Sequence, residues 1–195
     1  MIDLHNHLLP NLDDGSKSLE DTIEIAKTAE EHEIHQIVAT PHYMEGNYEI
    51  KGETIRNKVK ELNNTLTKKD INVEVLSGHE IYITDDIVKK FKNDDILSIN
   101  DSKYLLMEFP MSYIPDYLDQ LFYDLSVLGY KPIIAHPERY DAVIKDPDIL
   151  YKWVKDGVIF QLNAGSLFGV YGSAVKKTAY ELVDNYLVQV IASDC

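Results

Sequence analysis

The chain has 195 residues, 45% of them hydrophobic and 27% charged, with a formal net charge of −14, which is the composition of one globular domain with a substantial core. It contains no apolar run near the roughly 20 residues that a membrane span needs, and the acidic excess argues against nucleic acid, which is bound by neutralising phosphates. The same field would repel a phosphate substrate unless cations reverse it locally, as bound divalent metals can.

The segments alternate in chain order. Residues 2–4 predict a short strand running into His5-Asn6-His7, followed by a turn at Asp13-Asp14-Gly15. Ser18-Leu19-Glu20-Asp21 resembles a capping box and opens a helix to about Glu33. A second strand, 34–39, leads into Thr40-Pro41-His42, and 43–51 reads as an excursion loop. Ile55, Val59, Leu62 and Leu66 recur at helical spacing, after which a strand at 73–76 ends in Ser77-Gly78-His79-Glu80. Residues 104–109 predict a strand interrupted by Glu108, and the helix marked by Ile114, Leu118, Leu121, Leu125 and Leu128 is closed by Gly129. A strand at 132–135 reaches His136. A helix through Ile149, Leu150, Trp153 and Val154 has Pro147 before it and Gly157 after it. The sixth strand, 158–162, ends in Gln161-Leu162-Asn163, and 163–173, rich in Gly and Ser, reads as a loop. A helix through Val175, Ala179, Leu182 and Val183 precedes the last strand, 187–192, which leads to Asp194.

Seven near-continuous apolar strands separated by helices predict an α/β fold with a parallel sheet, closed as a barrel, with an open doubly wound sheet as the alternative. No linker or low-complexity tract divides the chain, so residues 1–195 are expected to form a single domain. The start of the chain lacks the basic-then-apolar order of a secretory signal. The single cysteine, Cys195, excludes an internal disulfide framework and fits a reducing, cytoplasmic compartment.

Six of the seven strand ends carry a side chain able to bind a metal. In a parallel barrel these ends open on one face, which carries the site. His5 and His7 are spaced to point to one side of an extended chain. Glu80 has two oxygens that can serve two ions, whereas His79 points the other way and reads as packing or support. Glu108 sits in an apolar run, where a carboxylate is costly unless paired or coordinated. Arg139, one of two arginines in the chain, lies three residues past His136. Its guanidinium fork suits a phosphate, with an ion pair to Glu138 or Asp141 as the structural alternative. Arg56 is expected on a helix surface, and His32 and His35 fall at the opposite end of the strands in solvated or capping positions. No G-x-S-x-G elbow, Walker A loop or G-x-G-x-x-G fingerprint is present, and a terminal cysteine does not supply a phosphate-binding thiolate loop.

The segments Met1-Ile2-Asp3-Leu4-His5-Asn6-His7, Leu12-Asp13-Asp14-Gly15, Ala39-Thr40-Pro41-His42, Gly78-His79-Glu80-Ile81, Glu108-Phe109-Pro110, Ile134-Ala135-His136-Pro137-Glu138-Arg139-Tyr140, Gln161-Leu162-Asn163-Ala164-Gly165-Ser166-Leu167 and Ala192-Ser193-Asp194 resemble, in order and over the whole chain, the polymerase-and-histidinol-phosphatase (PHP) superfamily. Within it the chain looks most like the bacterial manganese-dependent protein-tyrosine phosphatases of the CpsB/CapC type. The resemblance implies a distorted seven-stranded (β/α)7 TIM-like barrel, the PHP fold. It implies two or three Mn2+ ions, with Fe or Zn as alternatives. His5, His7, Glu80 and Asp194 would hold the first ion; Glu80, Glu108 and His136 the second; Asp14 and His42 the third. Arg139 would hold the phosphate. The implied partner is a phosphotyrosine-bearing bacterial tyrosine kinase that governs capsule or exopolysaccharide synthesis, met in the cytoplasm and near the membrane. The family has Gln and Arg where this chain has His79 and Tyr82. Its last motif reads Ser-Asp-Ala-His and continues into a further segment, whereas this sequence reads Ser193-Asp194-Cys195 and stops, so a domain lacking that histidine and segment is expected. The alternatives are a small-molecule phosphoesterase, such as one for histidinol phosphate, and an inactive metal-binding partner of the kinase.

Overall fold

A computed structural model describes residues 1–84, 86–92 and 95–195. Strand β1 (Ile2–Asn6) leads through the 13–16 turn to helix α1 (Leu19–Glu31), whose cap is Ser18, with its hydroxyl accepting from the Asp21 amide. There follow β2 (Gln36–Ala39), β3 (His42–Met44), β4 (Tyr48–Glu49), α2 (Gly52–Lys68), β5 (Glu74–Ser77), β6 (Glu80–Tyr82), α3 (Ile87–Lys92), β7 (Tyr104–Glu108) and α4 (Leu118–Val127). The second half comprises β8 (Lys131–Ala135), α5 (Asp141–Lys145), α6 (Tyr151–Lys155), β9 (Ile159–Asn163), α7 (Ala164–Phe168), α8 (Ser173–Asp184) and β10 (Val190–Ala192). Helix α4 starts later than its apolar spacing suggests because Ile114 precedes Pro115, and a residue before proline is biased away from helical angles.

The architecture is mixed α/β and its strand pairing is parallel throughout, except for the β3–β4 hairpin. It differs from the single closed ladder expected. The strands form two sheets, β1-β2-β5 and β10-β9-β8-β7-β6-β3-β4. The division falls just past two expected strands, β2 and β5, each followed after a break by a further short strand. Pro41, which has no amide to donate, separates β2 from β3, and Gly78-His79 separates β5 from β6. The strand before each break pairs in one sheet and the strand after it in the other. Thr40 N–H to Asn6 O (2.9 Å) and Glu80 N–H to Pro41 O (3.2 Å) carry the chain across the breaks. At the other edge, Asp194 N–H donates to His5 O (2.9 Å) and His7 N–H to Cys195 O (2.6 Å), joining β1 to the residues after β10.

Two large apolar clusters lie under the helices, one beneath α1 and α2 and the other beneath α4 to α6 and α8. A third, smaller one (Val38, Ile99, Leu106, Ile133 and Ala135) is built mainly from strand residues. Successive strand residues alternate faces, so Leu106 shares its face with Glu108, and Ile159 with Gln161 and Asn163. That face therefore begins apolar and ends polar, with the polar groups gathered at the C-terminal ends of the strands. Among the described residues, no helix is long and apolar enough to cross a membrane.

Candidate metal centre

The strand ends converge. His5, Glu80 and His136 are almost wholly buried, as are His7 and Glu108, and His42 is partly exposed. Four donor atoms from three segments meet at one point: His5 Nε2, His7 Nε2, Glu80 Oε2 and Asp194 Oδ1. His5 Nε2 lies 3.1 Å from His7 Nε2 and 3.2 Å from both carboxylate oxygens; His7 Nε2 lies 3.3 and 3.4 Å from them. Donors about 2.0–2.1 Å from a common tetrahedral centre stand about 3.3 Å apart, so the spacing fits one divalent cation.

Two further groups adjoin the first. His42 Nδ1 is 3.0 Å from Glu80 Oε2 and 3.2 Å from Glu108 Oε1, and His136 Nε2 is 2.9 Å from Glu80 Oε1 and 3.8 Å from Glu108 Oε2. His7, Asp14 and His42 form a third group, with His42 Nε2 3.5 Å from Asp14 Oδ1. Glu80 thus belongs to both the first and the second group, its Oε2 facing His5, His7 and His42 and its Oε1 facing His136. His42 stands between the Glu80–Glu108 pair and Asp14, a position that sequence alone does not reveal. His42 Nδ1 and Glu80 Oε2, which face each other at 3.0 Å, are buried without a well-formed hydrogen bond. Buried polar atoms are rarely left so, and lone pairs aimed at one another call for a cation.

The electrostatics agree. Burial pushes the Glu80 carboxyl up, but His5, His136 and His7 hold it well below the usual carboxylate range. Burial raises Asp194 too, yet its bond to His7 and the charge of His5 depress it strongly. Burial lowers His5 and His7, but Glu80 turns the net shift of His5 upward, and bonds to Asp13, Asp194 and Glu80 do the same for His7. The carboxylates stay ionised and the site attracts positive charge.

The supporting residues are those least visible in the sequence. Asp13 Oδ2 accepts from His7 Nδ1 at 2.7 Å and from the His42 amide at 2.9 Å. Tyr140 is fully buried, and its hydroxyl accepts from Phe109 N–H and donates to Ala135 O, tying the ends of β7 and β8 together beneath Glu108 and His136. His136 and Asp194 have left-handed backbones, at φ +38° and +55°, a conformation that non-glycine residues keep only where surroundings enforce it. His79 turns away from the centre, as its strand position predicts, and bonds to Ile50 O and Leu97 N–H.

Above the donors opens a pocket of about 840 Å³, walled by Met44, Tyr48, Tyr82, Phe109, Tyr113 and Tyr171. Tyr48 stacks on the His42 ring, with centroids 5.8 Å apart. Arg139 reaches the same pocket. Its guanidinium lies over the Tyr171 ring at 4.5 Å and donates to Asp194 Oδ2 at 3.2 Å, so its carboxylate partner is the centre itself rather than Glu138 or Asp141. Arg56 bonds Asp101 on a helix surface, and His32 and His35 are exposed.

An α/β scaffold that gathers imidazoles and carboxylates at its strand ends, below a pocket holding an arginine, defines a protein built around a candidate multi-metal centre. The chain belongs to the CpsB/CapC family: the family model described as "Capsular polysaccharide synthesis, CpsB/CapC" matches residues 1–195. It is 42% identical over 194 residues to tyrosine-protein phosphatase YwqE of Bacillus subtilis, covering all of this chain and 76% of that one. It is 30% identical over 199 residues to tyrosine-protein phosphatase CpsB of Streptococcus pneumoniae, covering 82% of it. A chain from the crystal structures of YwqE and CpsB, described as unique metal-dependent tyrosine phosphatases, superposes with a TM-score of 0.96 at 42% identity, over all of this chain and 79% of that one.

Proposed function

We propose that the chain is a metal-dependent protein-tyrosine phosphatase, a phosphoric monoester hydrolase acting on a phosphotyrosine-bearing bacterial tyrosine kinase of capsule or exopolysaccharide synthesis. The observation that carries it is the shared Glu80, whose two oxygens face adjoining donor groups at the floor of a pocket that also holds Arg139. In this reading His5, His7, Glu80 and Asp194 hold one ion, and Glu80, Glu108 and His136 a second with His42 alongside. Asp14 and His42 contribute to a third. Mn2+ fits such mixed nitrogen and oxygen donors, as do Fe and Zn. The backbone bonds from Asp194 and His7 to the opposite edge support reading the two sheets as one distorted seven-stranded barrel. A cytoplasmic location follows from the partner.

When bound, divalent ions supply Lewis-acid charge and lower the pKa of water at the site. The chain's own groups do the rest. Glu80 and Glu108 hold the positive charge in place. Arg139, pinned by Tyr171 and Asp194, presents its remaining N–H groups to the phosphoryl oxygens, where charge is stabilised during transfer. Tyr48, Tyr82 and Tyr113 offer aromatic walls to a tyrosyl ring.

The test is hydrolysis of p-nitrophenyl phosphate and of a phosphotyrosyl peptide with added Mn2+. Glu80→Gln and His136→Ala are expected to lower kcat/KM by more than about 100-fold, since removing even a group that merely orients a ligand costs 10–100-fold. Arg139→Lys should cost about 10²-fold, because an ammonium cannot reproduce the fork. Variants of Glu80 and His136 with unchanged Mn2+-dependent turnover would falsify the assignment. A higher kcat/KM for histidinol phosphate than for the peptide would favour a small-molecule phosphoesterase.

A further inference from the structure

Strand β9 ends without an imidazole or carboxylate, yet Gln161 and Asn163, two residues apart on one face, are fully buried beside the centre. Their amides form a continuous chain of hydrogen bonds. Asn163 Nδ2 donates to Asp194 Oδ2. Gln161 Nε2 donates to Asn163 Oδ1 at 2.9 Å, and Gln161 Oε1 lies 2.8 Å from His5 Nδ1.

The polarity of this chain is forced from one end. An ionised carboxylate only accepts. Asn163 must therefore turn its NH2 to Asp194 and keep its oxygen for Gln161. Gln161 has spent its NH2 on Asn163, so only its oxygen is left for His5, and His5 Nδ1 must be the donor. Nε2 of neutral His5 then carries a lone pair. That atom stands 3.1–3.2 Å from His7 Nε2, Glu80 Oε2 and Asp194 Oδ1.

We propose that Gln161 and Asn163 are positioning residues of the four-donor centre. As a relay from Asp194 to His5, they fix the His5 tautomer and aim the Asp194 carboxylate, so that both present lone pairs to one divalent cation. The proposal rests on the metal-dependent reading above. It differs from ordinary packing in one respect: the two amides act as a unit, and breaking either link disorders both ends.

The experiment uses the chelator-stripped chain, with Zn2+ affinity read by competition against a chromophoric chelator and donor geometry read from the visible absorption of bound Co2+. Gln161→Met keeps the side-chain shape and removes both bonds. It is expected to weaken Zn2+ binding 10–100-fold, the usual cost of losing an outer partner, and to alter the Co2+ spectrum. The double variant Gln161→Met/Asn163→Leu is expected to lose no more than about twofold beyond the single, because coupled residues are not additive. If the Met variant does not fold, Asn163→Leu alone gives the same comparison: it removes the donor for Asp194 and the acceptor for Gln161 without adding charge. Wild-type Zn2+ affinity and an unaltered Co2+ spectrum in these variants would overturn the relay, as would losses that multiply in the double variant. Wild-type protein that takes up neither ion would overturn the metal reading and the relay together.

Discussion

His79 shows how differently two adjacent residues can serve. Glu80 faces the donor cluster; His79 is fully buried on the other side, its Nδ1 accepting from Leu97 N–H and its Nε2 donating to Ile50 O, each at 2.9 Å. It thereby ties the segment before β6 to the residues before α2 and before the 99–101 turn. Burial, opposed only in part by the Ile50 bond, holds its pKa down to about 4. An unfolded histidine titrates near 6.5, so between these values the unfolded chain binds the extra proton. The contribution of His79 is full above pH 6.5 and is lost as pH falls towards 4, at a cost of about 3 kcal/mol. Glutamine can offer one donor and one acceptor in the same place and does not titrate. His79→Gln is therefore expected to flatten the fall in stability between pH 6.5 and 4.5, measured as urea unfolding free energy in the presence of chelator. Parallel curves for the two proteins would refute it.

At the scale of elements, the 13–16 turn is pressed against the end of β1. A Cβ on Gly15 would lie 2.3 Å from both Cβ and O of His7, closer than any such contact can be. Ser16 N–H to His7 O and Asp13 Oδ2 to His7 Nδ1 hold the turn there. Gly15→Ala must push the turn outward and loosen Asp13 from His7. A stability loss of about 1–3 kcal/mol, typical of overpacking, is expected by thermal unfolding, together with weaker Mn2+ binding; a variant with unchanged Mn2+ affinity would show that the turn does not set His7. The four longest helices and the short α6 were legible from apolar spacing and their punctuation: Ser18 caps α1, and Gly129 and Gly157 take φ of +84° and +85° after α4 and α6. The β3–β4 hairpin and α7 fall inside segments that read as loops. Such short elements carry too few residues for a pattern, and β3 forms by pairing with β6 far along the chain. The clustered histidines and acids were legible because a polar side chain at the end of an apolar run is conspicuous. Asp13, Gln161 and Asn163 were not, since a turn acid and strand amides are commonplace; only their alternation with period two hinted at a shared face.

At the scale of the molecule, the net charge of −14 is concentrated in part where Asp13, Asp14, Glu80, Glu108 and Asp194 approach one another, and mutual repulsion weakens the compact state. A cation that binds only the folded chain relieves it. At 100 times its dissociation constant such an ion adds about 2.7 kcal/mol, or roughly 5–10 °C in Tm for a chain of this size. Scanning calorimetry with Mn2+ should show that rise and its reversal by chelator. Mg2+, which prefers octahedral oxygen and keeps its waters, should do less at equal concentration. A Tm indifferent to Mn2+ would contradict the proposed site.

The seam between β1 and the residues after β10 gathers distant residues into one cluster: Asp3 accepts from the Ser193 amide 190 positions away, and His5 and His7 meet Asp194 beside it. A ribosome makes the histidines long before the aspartate. A cation arriving early finds two imidazoles on a nascent strand, with neither Glu80 nor Asp194 to complete its coordination. The four-donor site exists only after Asp194 has been synthesised and the loop from His7 to Asp194 has closed. Metal capture by all four donors therefore follows closure of that loop, and a loaded ion marks a chain whose strand β1 has met the residues after β10.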